Sequence, residues 1–211
     1  MDIAAEVARN LLKIKAVKLS PNEPFTWASG ILSPIYCDNR VALSHPEVRS
    51  FIKNCLATVS RSFGEFDVVA GVATAGIPHG ALLADVLEKP FIYVRNTAKD
   101  HGRRNRIEGE LHPGQRVLII EDLISTGGSC LQAVDAVREA GASVAGVLAI
   151  FQYGFEKAKT AFAEKNTDFQ TLTNYDALVQ EAVKSGYISA GDLSTLKKWR
   201  ENPDGWGALY V

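Results

Sequence analysis

The sequence is poor in the residues that build disulfide or metal frameworks, and it has no long apolar segment. Its 211 residues include only three cysteines, Cys37, Cys55 and Cys130, whose spacing fits neither a CxxC metal site nor a disulfide framework. Reduced thiols in a cytoplasmic protein are the simplest interpretation. The longest apolar stretches have the length of strands, so no segment is expected to span a membrane. Acidic residues near the start argue against a signal peptide.

The sequence also lacks a large charge of either sign. Its formal net charge is −1, which provides no global attraction to nucleic acids or anionic membranes, so neither is expected as a partner. The hydrophobic share of 46% is sufficient for a sizeable core. No internal repeat, low-complexity stretch or clear linker interrupts the chain, and we therefore expect one domain over residues 1–211.

Short apolar stretches alternate with amphipathic segments along most of the chain. Predicted strands cover residues 67–73, 91–94, 117–120 and 144–151, and predicted helices cover 3–14, 76–87, 131–140, 155–165, 175–185 and 190–200. A further helix is expected near residue 46, with Ser44 and Glu47 as a capping box. The alternation predicts an α/β fold in which helices flank a parallel sheet.

The stretch 117–129 combines an apolar strand, two acids and a loop of small residues. Glu121 and Asp122 follow the strand, at the end where open α/β sheets bind ligands, and they can accept hydrogen bonds from a vicinal diol such as ribose. The residues that come next are Leu123, Ile124, Ser125, Thr126, Gly127, Gly128 and Ser129. Their hydroxyls, their glycines and the free N–H groups of the following helix suit a phosphate. The stretch therefore predicts a sugar-phosphate site.

Other phosphate motifs fit this stretch poorly. A Walker A loop requires a lysine after its last glycine, and a dinucleotide fingerprint requires spaced glycines directly after the strand. Neither pattern is present. The remaining alternative is a tight strand-to-helix turn that carries acids by chance. Cys130, at the start of the helix, is interpreted as a core residue rather than a reactive thiol.

A long polar segment separates the predicted strands 91–94 and 117–120. Its residues 95–106 carry five basic side chains, Arg95, Lys99, Arg103, Arg104 and Arg106, and one acid, Asp100. Connections in α/β units are usually about 2–6 residues long, and longer ones are often lids. A cationic lid suits a polyanion such as pyrophosphate, because it supplies charge to a leaving group. A solvated loop with a chance cluster of charges is the alternative.

Separated motifs resemble the orotate phosphoribosyltransferase family, a branch of the type I phosphoribosyltransferases. The stretches that carry the resemblance are 25–30 and 33–40 (the substrate-side segment), 72–78 (the pyrophosphate loop), 95–102 (the mobile catalytic loop) and 117–129 (the signature for phosphoribosyl diphosphate, PRPP). The resemblance implies an α/β, parallel-sheet type I phosphoribosyltransferase fold with flanking helices. It also implies a small N-terminal hood, to which about residues 1–40 contribute.

The resemblance implies a reaction as well. Ribose 5-phosphate would pass from PRPP to orotate, giving orotidine 5′-phosphate and diphosphate in pyrimidine biosynthesis. Glu121 and Asp122 would hold the ribose hydroxyls, and the loop from Leu123 to Ser129 would hold the 5-phosphate, with Ser125 also against orotate. Mg²⁺ would be held mainly by PRPP, with no direct protein ligand. PRPP and orotate are thus the expected partners.

The same resemblance implies a homodimer in which the mobile loop acts in trans. Arg95, Lys99 and His101 would contact the pyrophosphate of the neighbouring subunit and, together with Asp122, form the catalytic set. They would stabilise the charge that grows on the leaving group. Whether Lys99 or His101 also donates a proton stays open.

The sequence departs from the family pattern at several basic positions. Residues that stand where some members carry lysine, arginine or Tyr-Lys are Ala28, Thr74, Ala75, Asn96, Gln152, Tyr153 and Gly154. We therefore expect the orotate carboxylate to be held in another way, such as by backbone N–H groups. Two alternatives remain: a phosphoribosyltransferase for another nucleobase, and a regulatory protein that senses PRPP. The charge of −1 and the lack of an added DNA-binding module argue against the regulator.

Overall fold

The computed structural model describes residues 2–27, 30–95 and 106–207. The α-helices in these ranges are α1 (Ile3–Lys13), α2 (Pro46–Ser60), α3 (Gly76–Val86), α4 (Gly128–Glu139), α5 (Glu156–Glu164), α6 (Tyr175–Lys184), α7 (Leu193–Glu201) and α8 (Pro203–Trp206). The strands are β1 (Val17–Leu19), β2 (Phe25–Thr26), β3 (Leu32–Ser33), β4 (Ile35–Cys37), β5 (Val68–Val72), β6 (Phe91–Val94), β7 (Ile107–Glu108), β8 (Arg116–Ile124), β9 (Ser143–Gln152) and β10 (Phe169–Asn174). Short 3-10 helices cover Asn39–Ser44, Arg61–Phe63 and Ala190–Asp192.

The central sheet has the strand order β10-β9-β8-β5-β6-β7. Its neighbouring strands are parallel, apart from the antiparallel pair β6 and β7. β5 is buried along its whole length, because helices cover both faces of the parallel sheet to which it belongs. The predicted α/β fold with a mostly parallel sheet is confirmed.

Helices cover the two faces of the sheet unequally. Buried residues of α1, α2, α3, α6 and α7 share one apolar core with the first face, and Leu11, Ile52 and Trp199 are among its fully buried members. Buried residues of α4 and α5 form a second core on the other face, which includes Val134 and Phe162. The C-terminal helix α7 is therefore part of the larger core.

Two small antiparallel pairs form the N-terminal hood. β1 pairs with β4, and β2 pairs with β3. The indole N–H of Trp27 donates a 3.1 Å hydrogen bond to the carbonyl of Ile35, which ties the β2 side of the hood to β4. This places the predicted substrate-side segment in a compact unit beside the main sheet.

The structure corrects parts of the sequence prediction. The capping box at residues 44–47 is wrong: Ser44 ends a 3-10 helix, and α2 begins at Pro46 after His45, with no side-chain cap. Proline at the first helical position explains this start, because its ring fixes a helical φ and its missing N–H needs no cap. β10 was not predicted, since its polar sequence FQTLTN lacks a clear apolar run. β8 extends four residues beyond the predicted end at 120.

The polar segment after β6 is anchored where it leaves and rejoins the described chain. The main-chain N–H of Arg95 donates a 2.8 Å hydrogen bond to the carbonyl of Arg106, next to the β6–β7 pair. Both ends of the segment are therefore fixed at the same edge of the sheet. Among the described residues, no helix has the length and apolar character needed to cross a membrane.

Candidate active site

The acidic pair lies near the carboxyl end of β8, inside the sheet. Glu121 and Asp122 occupy strand positions, because β8 continues to Ile124. Glu121 is aligned with Ala149 of β9 and is only 5% exposed. A carboxylate buried to this degree requires hydrogen-bond partners, and the chain that follows supplies them.

The loop after β8 folds back onto the carboxylate of Glu121. The hydroxyl of Ser129 donates to Oε2 at 2.9 Å, and the main-chain N–H of Asp122 donates to Oε1 at 3.2 Å. The thiol of Cys130 lies 3.8 Å from the same Oε2. Burial, followed by the charge of Glu121, raises the pKa of this thiol well above its ordinary value. Cys130 is therefore an inert core residue, as predicted.

Burial and mutual repulsion set the protonation of the two carboxyl groups. Burial, followed by the charge of Asp122, raises the pKa of Glu121 to about 8. Burial also raises the pKa of Asp122, against hydrogen bonds from Glu121 and the main chain and the charge of Arg40. Two adjacent carboxyl groups in a poorly solvated site do not ionise together, so Glu121 holds a proton at neutral pH. Hydroxyl donors or positive charge from a ligand would favour the doubly ionised pair.

The two glycines of the loop differ in what they make possible. Gly127 has φ of +84°, and a Cβ built on it would lie 2.7 Å from a ring carbon of Phe162. A Cβ on Gly128 would meet nothing within 4 Å. Gly127 is therefore required by the turn itself, whereas Gly128 leaves open space at the first turn of α4. No side chain caps that turn within the described residues, so its N–H groups remain available to an anion.

A second loop is held against the acidic pair by main-chain contact. A Cβ on Gly76, the first residue of α3, would lie 2.4 Å from the carbonyl oxygen of Ile120. A Cβ on Gly71 of β5 would lie 2.8 Å from the Cα of Ile77. α3 can approach β5 and β8 this closely because both positions lack a side chain. The predicted pyrophosphate loop, residues 72–78, is thereby fixed beside Glu121.

An open cavity of about 880 Å³ adjoins the proposed phosphate loop, residues 123–129. Ser125 and Thr126 of that loop line it, together with Trp27 and Ile31 of the hood. Its other lining residues come from the chain after β9 and from the C-terminal helices: Gln152, Tyr153, Gly154, Phe155, Glu156, Lys157, Lys159, Asn174, Tyr175, Asp176, Arg200, Glu201, Pro203 and Asp204. The cavity thus joins one end of the donor motif to the hood, with the space for a second, planar ligand.

Comparison with known proteins identifies the family. The Phosphoribosyl transferase domain family matches residues 43–185. An orotate phosphoribosyltransferase of Listeria innocua is 58% identical over 208 residues, which cover 98% of this chain and 100% of that protein. The chain belongs to the orotate phosphoribosyltransferase family.

Solved structures of the orotate phosphoribosyltransferase family share the fold. The enzyme of Aeropyrum pernix superposes with a TM-score of 0.74 at 29% identity, covering 87% of this chain and 99% of that one. The Mycobacterium tuberculosis enzyme in complex with PRPP superposes with a TM-score of 0.66 at 25% identity, covering 84% and 99%. The type I fold predicted from the sequence is therefore confirmed.

The structure brings only part of the predicted orotate phosphoribosyltransferase site together. The acids and the loop to Ser129 lie together around the start of α4. Arg95 directly follows β6, and its guanidinium lies 3.4 Å from the carboxylate of Glu108 on β7. Lys99 and His101 lie outside the described residues, as do two of the departing positions, Ala28 and Asn96.

Sequence reasoning missed two contributors to the site. Asn39 of the first 3-10 helix donates a side-chain hydrogen bond to β8, and α7 reaches the cavity through Arg200 and Glu201. The only sequence signal for Asn39 was its place in the substrate-side stretch 33–40. The role of α7 had no signal, because its contacts with Tyr153 and Trp27 join residues that are distant along the chain.

Proposed function

We propose that the protein transfers ribose 5-phosphate from PRPP to orotate, giving orotidine 5′-phosphate and diphosphate in pyrimidine biosynthesis. The observation that carries this proposal is the junction of two half-sites at the end of β8. The acidic pair and the uncapped start of α4 suit a ribose phosphate, and the adjoining cavity under the hood suits a flat acceptor. The close relationship to orotate phosphoribosyltransferases over nearly the whole chain supports the choice of acceptor.

The donor half can be assigned by chemistry. Asp122 and Glu121 would accept hydrogen bonds from the vicinal hydroxyls of the ribose, and ionised carboxylates make such bonds strong. The 5-phosphate would lie over the space at Gly128, where the hydroxyls of Ser125, Thr126 and Ser129 and the N–H groups of α4 converge. Leu123, Ile124 and Gly127 shape this loop without offering side-chain charge.

The reaction breaks the bond between C1 of the ribose and the diphosphate oxygen, forms a bond from C1 to N1 of orotate, and releases the proton of N1. Positive charge develops on the ribose ring and negative charge on the departing diphosphate. The charge of Asp122 would stabilise the ring. Arg95, Lys99 and His101 would stabilise the diphosphate, with Lys99 and His101 outside the described residues.

Magnesium belongs to the proposal because the donor set fits it. The oxygens offered here are the carboxylates of Glu121 and Asp122, and Mg²⁺ is usually bound by one or two carboxylates together with substrate phosphates. We therefore propose that PRPP carries most of the coordination. When bound, the ion would neutralise charge on the diphosphate.

The proposal extends to assembly and location. We propose a homodimer in which residues 95–106 of one subunit serve the site of the other, and a single domain over residues 1–211. We also propose a cytoplasmic location, which the three unpaired cysteines favour.

One assay tests the reaction. The protein is mixed with PRPP and magnesium, and orotate, uracil, hypoxanthine and adenine are offered separately. Turnover of orotate with release of diphosphate is the expected result. Turnover of a purine alone would select the alternative enzyme, and PRPP binding without turnover of any base would select the PRPP-sensing regulator.

A further inference from the structure

Tyr153 is a buried residue of the cavity that the proposed donor chemistry leaves unused. It follows β9 directly, lines the cavity beside Ser125, and is only 3% exposed. Its hydroxyl has no hydrogen-bond partner among the described residues. The hydroxyl is not one of the buried polar atoms that lack a partner, so it is open to the cavity, where a ligand can accept its hydrogen bond.

Aromatic neighbours hold the ring of Tyr153 in place from several sides. The ring stacks on Phe155 at 5.3 Å between centroids and meets Phe151 edge-on at 5.4 Å. Trp199 of α7 meets it edge-on at 5.6 Å, and Trp27 of the hood lies at 5.8 Å. A ring packed in this way keeps its hydroxyl in one position, as a specificity residue requires.

Trp199 stands at the centre of this cluster. Its indole is fully buried and also packs against Phe155, Tyr175 and Trp27, with centroid distances between 5.5 and 5.8 Å. It therefore joins the hood, the end of β9 and the start of α6. Trp199 thus links α7 to Tyr153 and Trp27, two residues that line the acceptor cavity.

The hydroxyl of Tyr153 is suited to donate and not to ionise. Burial, followed by electrostatic interactions with Cys37 and Asp122, raises the pKa of this hydroxyl well above its ordinary value. It therefore remains protonated over the working range of pH. Its electrostatic neighbours lie on β4 and β8, which places it between the hood and the donor motif.

The basic residues of the cavity are less well placed. Lys159 pairs with Glu156 at 2.5 Å, and the guanidinium of Arg200 is hydrogen-bonded to Asp176. Lys157 has no ion pair among the described residues, but it is exposed on α5. The buried part of the cavity therefore offers neutral donors, whereas its cations lie at the rim or are already paired.

We propose that the hydroxyl of Tyr153 donates a hydrogen bond to the carboxylate of the acceptor base, and that Trp199 of α7 is the positioning residue that holds it. The inference rests on the proposed function and names the group that distinguishes orotate from uracil. In this arrangement the neutral hydroxyl of Tyr153 binds the carboxylate in place of a cation. Helix α7 then becomes part of the acceptor site.

Tyr153→Phe tests the contact, because it removes only the hydroxyl. The ratio of kcat/KM for orotate to kcat/KM for uracil should fall roughly 10- to 100-fold, as for a lost hydrogen bond to a charged group. The KM for PRPP should not change. Tyr187→Phe is the matched control, since Tyr187 is 40% exposed and lies outside the cavity.

Trp199→Leu tests the positioning role. It should raise the KM for orotate and leave the KM for PRPP unchanged, whereas Phe63→Leu, in the same core but away from the cavity, should change neither. If Trp199 acts through Tyr153, the loss of orotate preference in the double variant should be smaller than the sum of the single losses. Trp199→Phe should recover part of the preference.

The outcomes separate the inference from the proposed function. A wild-type protein that does not turn over orotate would refute the function itself. Normal wild-type turnover, with an unchanged orotate-to-uracil ratio in Tyr153→Phe, would overturn only the inference. If the orotate-to-uracil ratio falls only in Lys157→Ala, then Lys157 rather than Tyr153 binds the orotate carboxylate. If Trp199→Leu raises the KM for orotate and the KM for PRPP equally, Trp199 has only a structural role.

Discussion

The side-chain amide of Asn39 donates a 2.8 Å hydrogen bond to the main-chain carbonyl of Asp122. Asn39 is fully buried, and its own amide oxygen has no partner within the described chain. The bond joins the segment after the hood to the strand that carries the acidic pair. The position of Asp122 therefore depends on a residue more than eighty positions earlier in the sequence.

Asn39→Ala should destabilise the protein and weaken PRPP binding together. Removing the donor leaves the Asp122 carbonyl buried without this partner, at a cost of about 1–3 kcal/mol in the free energy of unfolding. Urea denaturation measures this loss, and the KM for PRPP should rise in parallel. Asn22→Ala is the control, because the contact of Asn22 with Asp192 is exposed and 3.4 Å long. Equal stability of the two variants would show that the bond to Asp122 contributes little.

Glu121 should make the ligand-free protein less stable as the pH rises. Burial, followed by Asp122, raises the pKa of Glu121 from 4.5 in the unfolded chain to about 8 in the folded chain. Between these values the unfolded state has released its proton while the folded state retains it. The free energy of unfolding therefore falls as pH rises from about 4.5 to about 8, and levels off above that.

Glu121→Gln isolates this effect, because it removes the titrating group and keeps a side chain of the same size. Thermal unfolding between about pH 5 and about pH 9 should show a smaller fall in Tm for the variant than for the wild type. The difference in the free energy of unfolding between the two proteins should be largest at the alkaline end, and on the order of a few kcal/mol at most. Parallel Tm curves for the two proteins would contradict the assignment of the proton to Glu121.

The paired glycines of the phosphate loop should respond differently to the same substitution. Gly127→Ala forces a side chain into left-handed backbone and against Phe162, so a loss of at least about 1–2 kcal/mol is expected. Gly128→Ala meets open space at a helix start and should leave stability unchanged. Its methyl group should instead raise the KM for PRPP, because it occupies the space proposed for the 5-phosphate. Thermal melts and PRPP titrations of both variants check whether Gly127→Ala affects mainly stability and Gly128→Ala mainly PRPP binding.

Hybrid dimers test whether the loop acts in trans. Lys99→Ala and Asp122→Asn should each be inactive alone, since one lacks a loop charge and the other lacks a ribose contact. After mixing in equal amounts and subunit exchange, about one quarter of the wild-type activity should return, because half of the dimers then hold one intact site. Exchange without recovery would show that each loop serves its own subunit.

Local patterns in the sequence were sufficient to predict which residues of the proposed donor half lie close together. The strand, the acids and the loop from 117 to 129 are contiguous, so their spacing alone placed Glu121 and Ser129 together. The alternation of strands and helices likewise predicted the parallel sheet. Errors arose where the local signal was weak, as in the polar strand β10, or where another device replaced the expected one, as with Pro46 in place of the capping box.

The acceptor half could not be predicted in the same way. Tyr153, Trp27 and Trp199 are distant in sequence, and each alone suggests only an aromatic core residue. Their convergence around one cavity depends on how α7 returns to the larger core, which no local pattern encodes. The sequence shows that basic residues of the family pattern are missing, but it does not show which group takes their role.

The close approach of Gly71 and Gly76 has a consequence for the evolution of this site. At these two positions main chain touches main chain, so the span between the pyrophosphate loop and the acidic pair cannot be retuned by exchanging side chains. The acceptor cavity, by contrast, is bounded mainly by interchangeable side chains. Mutation can therefore change the base that the acceptor cavity binds, while main-chain contacts keep the site for the sugar donor constant.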